Sequence, residues 1–258
     1  MTAIHERAHA SYHVQSFGGG VQSVALAILN ATGRVTPRAD LAIFADPGSE
    51  EQGTYDLLPV YRDWLAARGY ELVTVAHPKM PLVDYITQRS TVIPVFRGSD
   101  GAPGRRQCTS RWKIDLVERE IRRRINKRGS KWITQLGISI DEIIRARVDP
   151  TKRYPLIELG LTRADCRAII EAEGLPVPPK SACWFCPFQS RNRWQWRVIE
   201  RPEEFERACR LEEDVIRKRE PNVYLTRYLQ PLRTVVSGDQ MTLDDAMDGQ
   251  ECEGVCFV

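Results

Sequence analysis

Short apolar runs alternate with amphipathic stretches along the first half of the chain. Residues 12–17, YHVQSF, read as a strand. Residues 39–46, ADLAIFAD, form the nearly continuous apolar run of a strand buried on both faces. YELVTVA at 70–76 and WITQLGIS at 132–139 predict two more strands. Between the strands the apolar period lengthens from two to about 3.6 residues. QSVALAILNATG predicts a helix that stops at Gly33, and Leu57, Val60, Tyr61, Trp64 and Leu65 predict a second one, closed by Gly69. A helix from about Ser110 is expected to carry Ile114, Val117, Ile121 and Ile125 on one face.

This alternation predicts an α/β fold with a doubly wound parallel sheet over residues 1–150. Residues 151–258 are expected to form a mostly helical C-terminal region. There Thr162 and Asp165 predict a capping box on a helix that ends at Gly174. The proline-rich connector LPVPPKSACWFCPF follows, then an aromatic and basic stretch.

Composition narrows the function classes. No apolar run approaches the roughly 18 residues of a membrane span, and the N-terminal residues lack a hydrophobic leader pattern, so a cytoplasmic protein without a membrane partner is expected. The net charge of +3 does not by itself assign a nucleic-acid partner. Basic residues cluster, however, in FRGSDGAPGRRQCTSRWK and REIRRRINKRGSK. These stretches read either as phosphate contacts or as solvated faces. Seven cysteines in a chain with no export signal point to metal, cluster or thiol chemistry rather than disulfides.

Gly18, Gly19 and Gly20 stand between the first predicted strand and the first predicted helix. Such a turn aims backbone N–H groups into a concavity where the helix N-terminus adds positive charge, which makes a phosphate site. Ser16 and Ser23 bring hydroxyls to the same place. A tight turn with no ligand is the alternative. The pattern is neither the dinucleotide fingerprint nor the lysine-bearing Walker loop.

SFGGGVQS resembles the PP-loop of the ATP pyrophosphatase and phosphoadenylyl-sulfate (PAPS) reductase superfamily, written S-F-S-G-G-K-D-S or S-G-G-x-D-S. Four later stretches resemble that family's segments in the right order: FADPGSE, QCTSRWK, GISIDEIIRA and YPLIELGLTRADCRAIIEAEGLPVPPKSACWFCP. The resemblance spans about residues 12–190. The sequence departs from the pattern at Gln22, Val21, Pro47 and Ser139, where the family usually has aspartate, lysine, threonine and arginine.

The resemblance implies a PP-loop nucleotide domain that binds ATP, or PAPS or APS, with Mg²⁺. Ser16, Phe17, Gly18, Gly19, Gly20, Gln22, Ser23, Asp46, Arg111 and Gly137 would form the nucleotide site. Lys113 and Arg145, together with Arg111, would face the phosphates. A substrate oxygen would attack the α-phosphate, pyrophosphate would leave, and a nucleophile would then displace AMP. The sulfur-activating component of DNA phosphorothioation systems is one such relative. Candidate partners are a nucleic acid, which the basic stretches and the Trp194/Trp196 pair would suit by charge and stacking, a sulfur donor such as a cysteine desulfurase, and a second copy of the chain. Two rival readings are a PAPS or APS reductase with Cys252 as nucleophile, and a non-catalytic nucleotide-binding subunit of a DNA-modification complex.

Cys183 and Cys186 form a C-x-x-C, which brings two sulfurs within reach of one ion. Four thiolates suit a zinc ion or a 4Fe–4S cluster. Cluster-bearing members of the family pair a cysteine of the QCTSRWK type with a later C-x-x-C, which implies Cys108 with Cys183 and Cys186. The fourth ligand is Cys166 or Cys252. Cys166 also reads as a core residue beside Ile169 and Ile170. Cys252, near Cys256, also reads as a mobile nucleophile or sulfur carrier.

Overall fold

A computed structural model describes residues 12–125 and 131–237. Its first half runs β1 (Tyr12–Phe17), α1 (Val21–Ala31), β2 (Leu41–Asp46), α2 (Gln52–Ala66), β3 (Glu71–Ala76), α3 (Leu82–Gln88) and β4 (Phe96–Arg97). Next, α4 (Gln107–Thr109) passes through a π-helical turn (Ser110–Ile114) into α5 (Asp115–Ile125), and β5 (Trp132–Leu136) follows. The chain continues with a 3₁₀ turn (Ile140–Arg145), β6 (Lys152–Arg153), α6 (Pro155–Glu158), α7 (Arg163–Ala172), α8 (Arg191–Glu200) and α9 (Pro202–Arg210). A second π-helical turn (Leu211–Ile216), α10 (Arg217–Arg219), β7 (Val223–Tyr224) and α11 (Leu232–Ser237) complete the described residues.

The main sheet has the order β3-β2-β1-β5-β6, and every neighbouring pair in it is parallel. It is an open α/β sheet with helices on both faces. Alternation along β2 explains this. Ala42 and Phe44 join the core shared with α1, α2 and α7, while Leu41, Ile43 and Ala45 pack with Leu116, Val117 and Ile121 of α5. Residues beyond 150 supply β6 to the sheet and α7 to its α1 face. A third core joins Trp184, Phe185 and Trp194 to α3, α9 and β7. The short antiparallel pair β4–β7 edges it.

β1 lies between β2 and β5, so the chain leaves it in one direction and later returns on its other side. This reversal is the point where open α/β sheets bind ligands, beyond the carboxyl ends of the strands. Beneath it lies a buried polar network. Asn30 Nδ2 donates to Gln15 and Gln135 at 3.3 and 3.0 Å, Tyr70 donates to Gln15 at 3.1 Å, and Gln15 Nε2 donates to the Ser23 carbonyl at 2.7 Å. The last bond ties the first turn of α1 to the strand before it.

Two helix readings need correction. The third helix begins at Gln107, ahead of Ser110, and Ile114 is 37% exposed because the π turn rotates it off the face that Val117 and Ile121 bury. Val60 is 40% exposed. The buried face of α2 runs through Leu58, Tyr61 and Leu65, and Val60 lies across the helix from Leu58.

Candidate nucleotide and thiol site

The glycine loop connects β1 to α1 in three residues. Gly19 has φ +79°, and a Cβ there would meet Thr54 Cγ2 at 2.9 Å, so both conformation and space require glycine. Gly20 is the extended N-cap of α1, with no side chain to occupy the helix N-terminus. From the far side, a Cβ on Gly137 would meet Ser23 N at 2.9 Å and Gln22 C at 3.0 Å. The end of β5 therefore lies directly against the first turn of α1.

A cavity of about 100 Å³ opens at this junction. Of the residues that the resemblance assigned to the nucleotide, Ser16, Gly18, Gly20, Gln22, Ser23, Gly137 and Arg145 line it. Ser23 Oγ donates to the Gly20 carbonyl at 2.9 Å, and Gln22 Nε2 donates to Ser139 Oγ at 3.4 Å. Arg145 pairs with the buried Glu142, the one carboxylate among the described lining residues. The wall also contains Arg163, Lys180 and Ser181, to which the sequence reading assigned no role. Arg163 stands at the first helical position of α7, just after the capping threonine, and Lys180 and Ser181 are separated from the C-x-x-C by Ala182 alone. Each fell inside a motif already explained by another feature.

Of the expected site residues, Phe17, Gly19, Asp46, Arg111 and Lys113 do not line this cavity. The Phe17 side chain is core, edge-on to Phe44. The Asp46 carboxylate closes the turn after β2, accepting from Gly48 N and Tyr55 Oη at 2.7 Å each. Arg111 lies on the opposite side of the π turn, bonded to Tyr85 Oη at 3.1 Å and over the Tyr85 and Trp112 rings. Arg111 and Lys113 are two residues apart and so leave opposite sides of the turn, as i and i+2 side chains do on any helix.

Lys113 points inward. Its Nζ donates to Glu50 Oε1 at 3.0 Å, and both side chains are buried. Glu50 Oε2 in turn accepts from Ser181 Oγ at 3.1 Å, and the same hydroxyl reaches the Gly18 carbonyl. The backbone of Glu50 forms an antiparallel bridge with Cys183, flanked by Glu51 N to Ala182 O at 3.0 Å and Trp184 N to Ser49 O at 3.1 Å. The C-x-x-C segment is thus paired to the loop after β2. Buried charges fasten the same corner: Glu51 meets Arg193 and Arg197, and Arg197 also meets Glu204. Burial raises the Glu51 carboxyl against the pull of those arginines.

Cys108, Cys183 and Cys186 line one small apolar cavity of about 30 Å³ with Phe185, Phe188 and Lys113. Burial pushes the Cys183 thiol well up; Glu50 adds to this and Lys113 opposes it. A sulfur-only donor set in a dry shell suits a soft metal or an iron–sulfur cluster. Among the described residues, though, no three His, Cys, Asp or Glu side chains converge on a point where a metal ion would sit. Cys166 is not with the other three. It is fully buried in the α1–α7 core, and burial pushes its thiol up to about 12. Cys252 and Cys256 lie outside the described residues.

Several arginines of the basic stretches are ion-paired. Arg122 pairs with Glu118, Arg123 and Arg124 with Glu120, Arg124 also with Glu71, and Arg97 with Asp100. No described helix is long and apolar enough to cross a membrane.

No family model matches the chain, and no curated protein matches it. Among solved structures, the chain is similar to the U34-tRNA thiolase NcsA from Methanococcus maripaludis with its 4Fe–4S cluster, at 13% identity and a TM-score of 0.40, over 80% of this chain and 72% of that one. A likeness of that size carries no functional argument.

Proposed function

We propose that the chain is an adenylating enzyme that holds ATP by its phosphates on the glycine loop and activates a substrate oxygen for replacement by sulfur. The observation that carries this reading is the junction of Gly18–Gly20 with Gly137. It is a side-chain-free cradle at the sheet's reversal point, walled by Arg145, Arg163 and Lys180.

In this reading the N–H groups of the loop and the hydroxyls of Ser16 and Ser23 hold phosphate oxygens. The three cations neutralise charge as the α-phosphorus is attacked and pyrophosphate departs. Mg²⁺ would enter with the triphosphate. Gln22, in place of an acid, brings no charge to hold it. Cys183 is bridged to Glu50, which accepts from Ser181 of the cradle wall, and Cys108, Cys183 and Cys186 would be the groups that hold a sulfur-handling centre. Their chemistry fits a cluster, which would supply bound sulfide.

The test is ATP binding by equilibrium dialysis, pyrophosphate release with candidate acceptors, and iron, sulfide and zinc content after anaerobic purification. Binding weakened about tenfold or more in Arg163→Gln/Lys180→Gln supports the site. Failure of ATP to bind overturns the reading. Thioredoxin-dependent sulfite release from PAPS without ATP cleavage would replace it with a reductase.

A further inference from the structure

Another cavity, of about 670 Å³ against about 100 Å³ at the glycine loop, lies on the α5 face of the sheet. Its floor is β5 from Trp132 to Leu136, a run of about 13 Å, and its flank is α5 with the end of the π turn before it. Ile114, which the π turn holds off the buried face of α5, is part of that flank. The cavity shares walls with two others. Ser16 and Leu136, paired across β1 and β5, line both it and the glycine cradle. Lys113 lines both it and the cavity of Cys108, Cys183 and Cys186. A molecule in this space therefore adjoins the cradle and the thiols together, and the volume is that of a small-molecule site.

The lining sets the chemistry of the occupant. Ile114, Val117, Trp132 and Leu136 make an apolar middle. Away from Ser16 the charges are mainly positive. Lys131 precedes β5, Lys152 pairs in register with Thr134, and Arg122 lies over the Trp132 ring at 5.6 Å. Glu118 and Asp149 stand against these three cations, Glu118 bonded to Arg122 and Asp149 3.6 Å from Lys152. In the cradle, Glu142 is paired with Arg145. An acceptor that arrives deprotonated asks none of these paired carboxylates to take up a proton.

We propose that this cavity holds the acceptor of the adenylation, and that the acceptor is an elongated organic acid with an apolar middle and an anionic group at each end. One carboxylate lies beside Ser16 at the shared wall. Its oxygen bonds to the α-phosphorus as the bond to pyrophosphate breaks. The body lies along Leu136 and Trp132, and the far anionic group meets Lys131 and Lys152. This inference rests on the nucleotide reading above and names its substrate class.

The experiment uses the full-length chain and radiolabelled α,ω-dicarboxylates whose length matches the groove, with monocarboxylates of equal length for comparison. Binding is read by equilibrium dialysis, with ATP binding and pyrophosphate release measured on the same preparations. Wild type should bind the dicarboxylate about tenfold more tightly than the monocarboxylate, and pyrophosphate release should rise with the dicarboxylate. Lys131→Gln/Lys152→Gln should bring the two acids to equal affinity. Thr134→Phe, which fills the floor, should abolish binding of both. None of these three positions lines the glycine cradle, so ATP affinity should stay at the wild-type value in both variants. ATP that binds while neither acid does, equal affinity for the two acids in wild type, or dicarboxylate binding without a rise in pyrophosphate overturns the acceptor class and leaves the nucleotide site standing. If ATP does not bind wild type, the nucleotide reading fails and the acceptor role fails with it.

Discussion

Lys113 Nζ donates to Glu50 Oε1 at 3.0 Å, and the carboxylate side chain is wholly buried. Removing one member of such a pair leaves an uncompensated charge in the interior, at a cost of about 3–5 kcal/mol, whereas removing both costs far less. Lys113→Met and Glu50→Gln should each lower the urea midpoint strongly. The double variant should recover much of the loss. A double variant no more stable than the worse single one would show that the pair is not the linchpin of this corner.

Gly137→Ala should damage the nucleotide site through packing alone. Its Cβ would stand 2.9 Å from Ser23 N, so the first turn of α1 has to move. The expected loss is about 1–3 kcal/mol of stability, with weaker ATP binding. Gly20→Ala is the contrast. Its nearest neighbour would be Ser181 Cβ at 3.8 Å, and its backbone is extended, so stability should hold. Thermal melts and ATP titrations of the two variants decide the matter.

Among the arginines, position separates binding from decoration. Arg163 and Lys180 line the cradle, while Arg111 lies on Tyr85. Arg163→Gln should weaken ATP binding by about tenfold. Arg111→Gln should leave it unchanged. Equal losses in both would mean that the phosphates do not lie where the cavity does.

Cys166 should behave as core. Cys166→Val is expected to leave metal content and ATP binding at wild-type levels, whereas Cys166→Ser should lower the melting temperature by burying a hydroxyl. With its thiol pushed up to about 12, it should also resist alkylation at pH 8 in the folded protein. Loss of bound iron or zinc in Cys166→Val would return it to the ligand set.

Acid stability has a defined source on α5. Arg123, and then Arg124, hold the Glu120 carboxyl down to about 2 from its ordinary 4.5. The folded state thus binds this proton less readily than the unfolded chain. The stabilisation is present above about pH 4.5 and is lost as pH falls towards 2. Urea midpoints measured across that window should fall less steeply in Glu120→Gln than in wild type.

Local pattern determined the parts that local forces build. β1, β2 and β3 are regular runs whose alternation or unbroken apolarity marks a buried parallel strand, and Thr162 with Asp165 forms its capping box from residues three apart. The glycine loop was legible for the same reason: a strand, three glycines and a helix are contiguous.

The tertiary structure decided what contiguity cannot. β4, β6 and β7 are two residues long and exist only because a partner strand is present. The place of Arg111 depends on Tyr85 of α3, 26 residues away in sequence, standing beside it. Lys113 meets Glu50 across 63 residues, and Ser181 meets Gly18 across 163. Cys166 shares its residue type with Cys183 but lies in a different core, because α7 packs on α1 while the C-x-x-C is bridged to the loop after β2. Which thiols, charges and hydroxyls become neighbours is set by how the sheet and its flanking helices close on each other, and residue spacing along the chain carries no record of that closure.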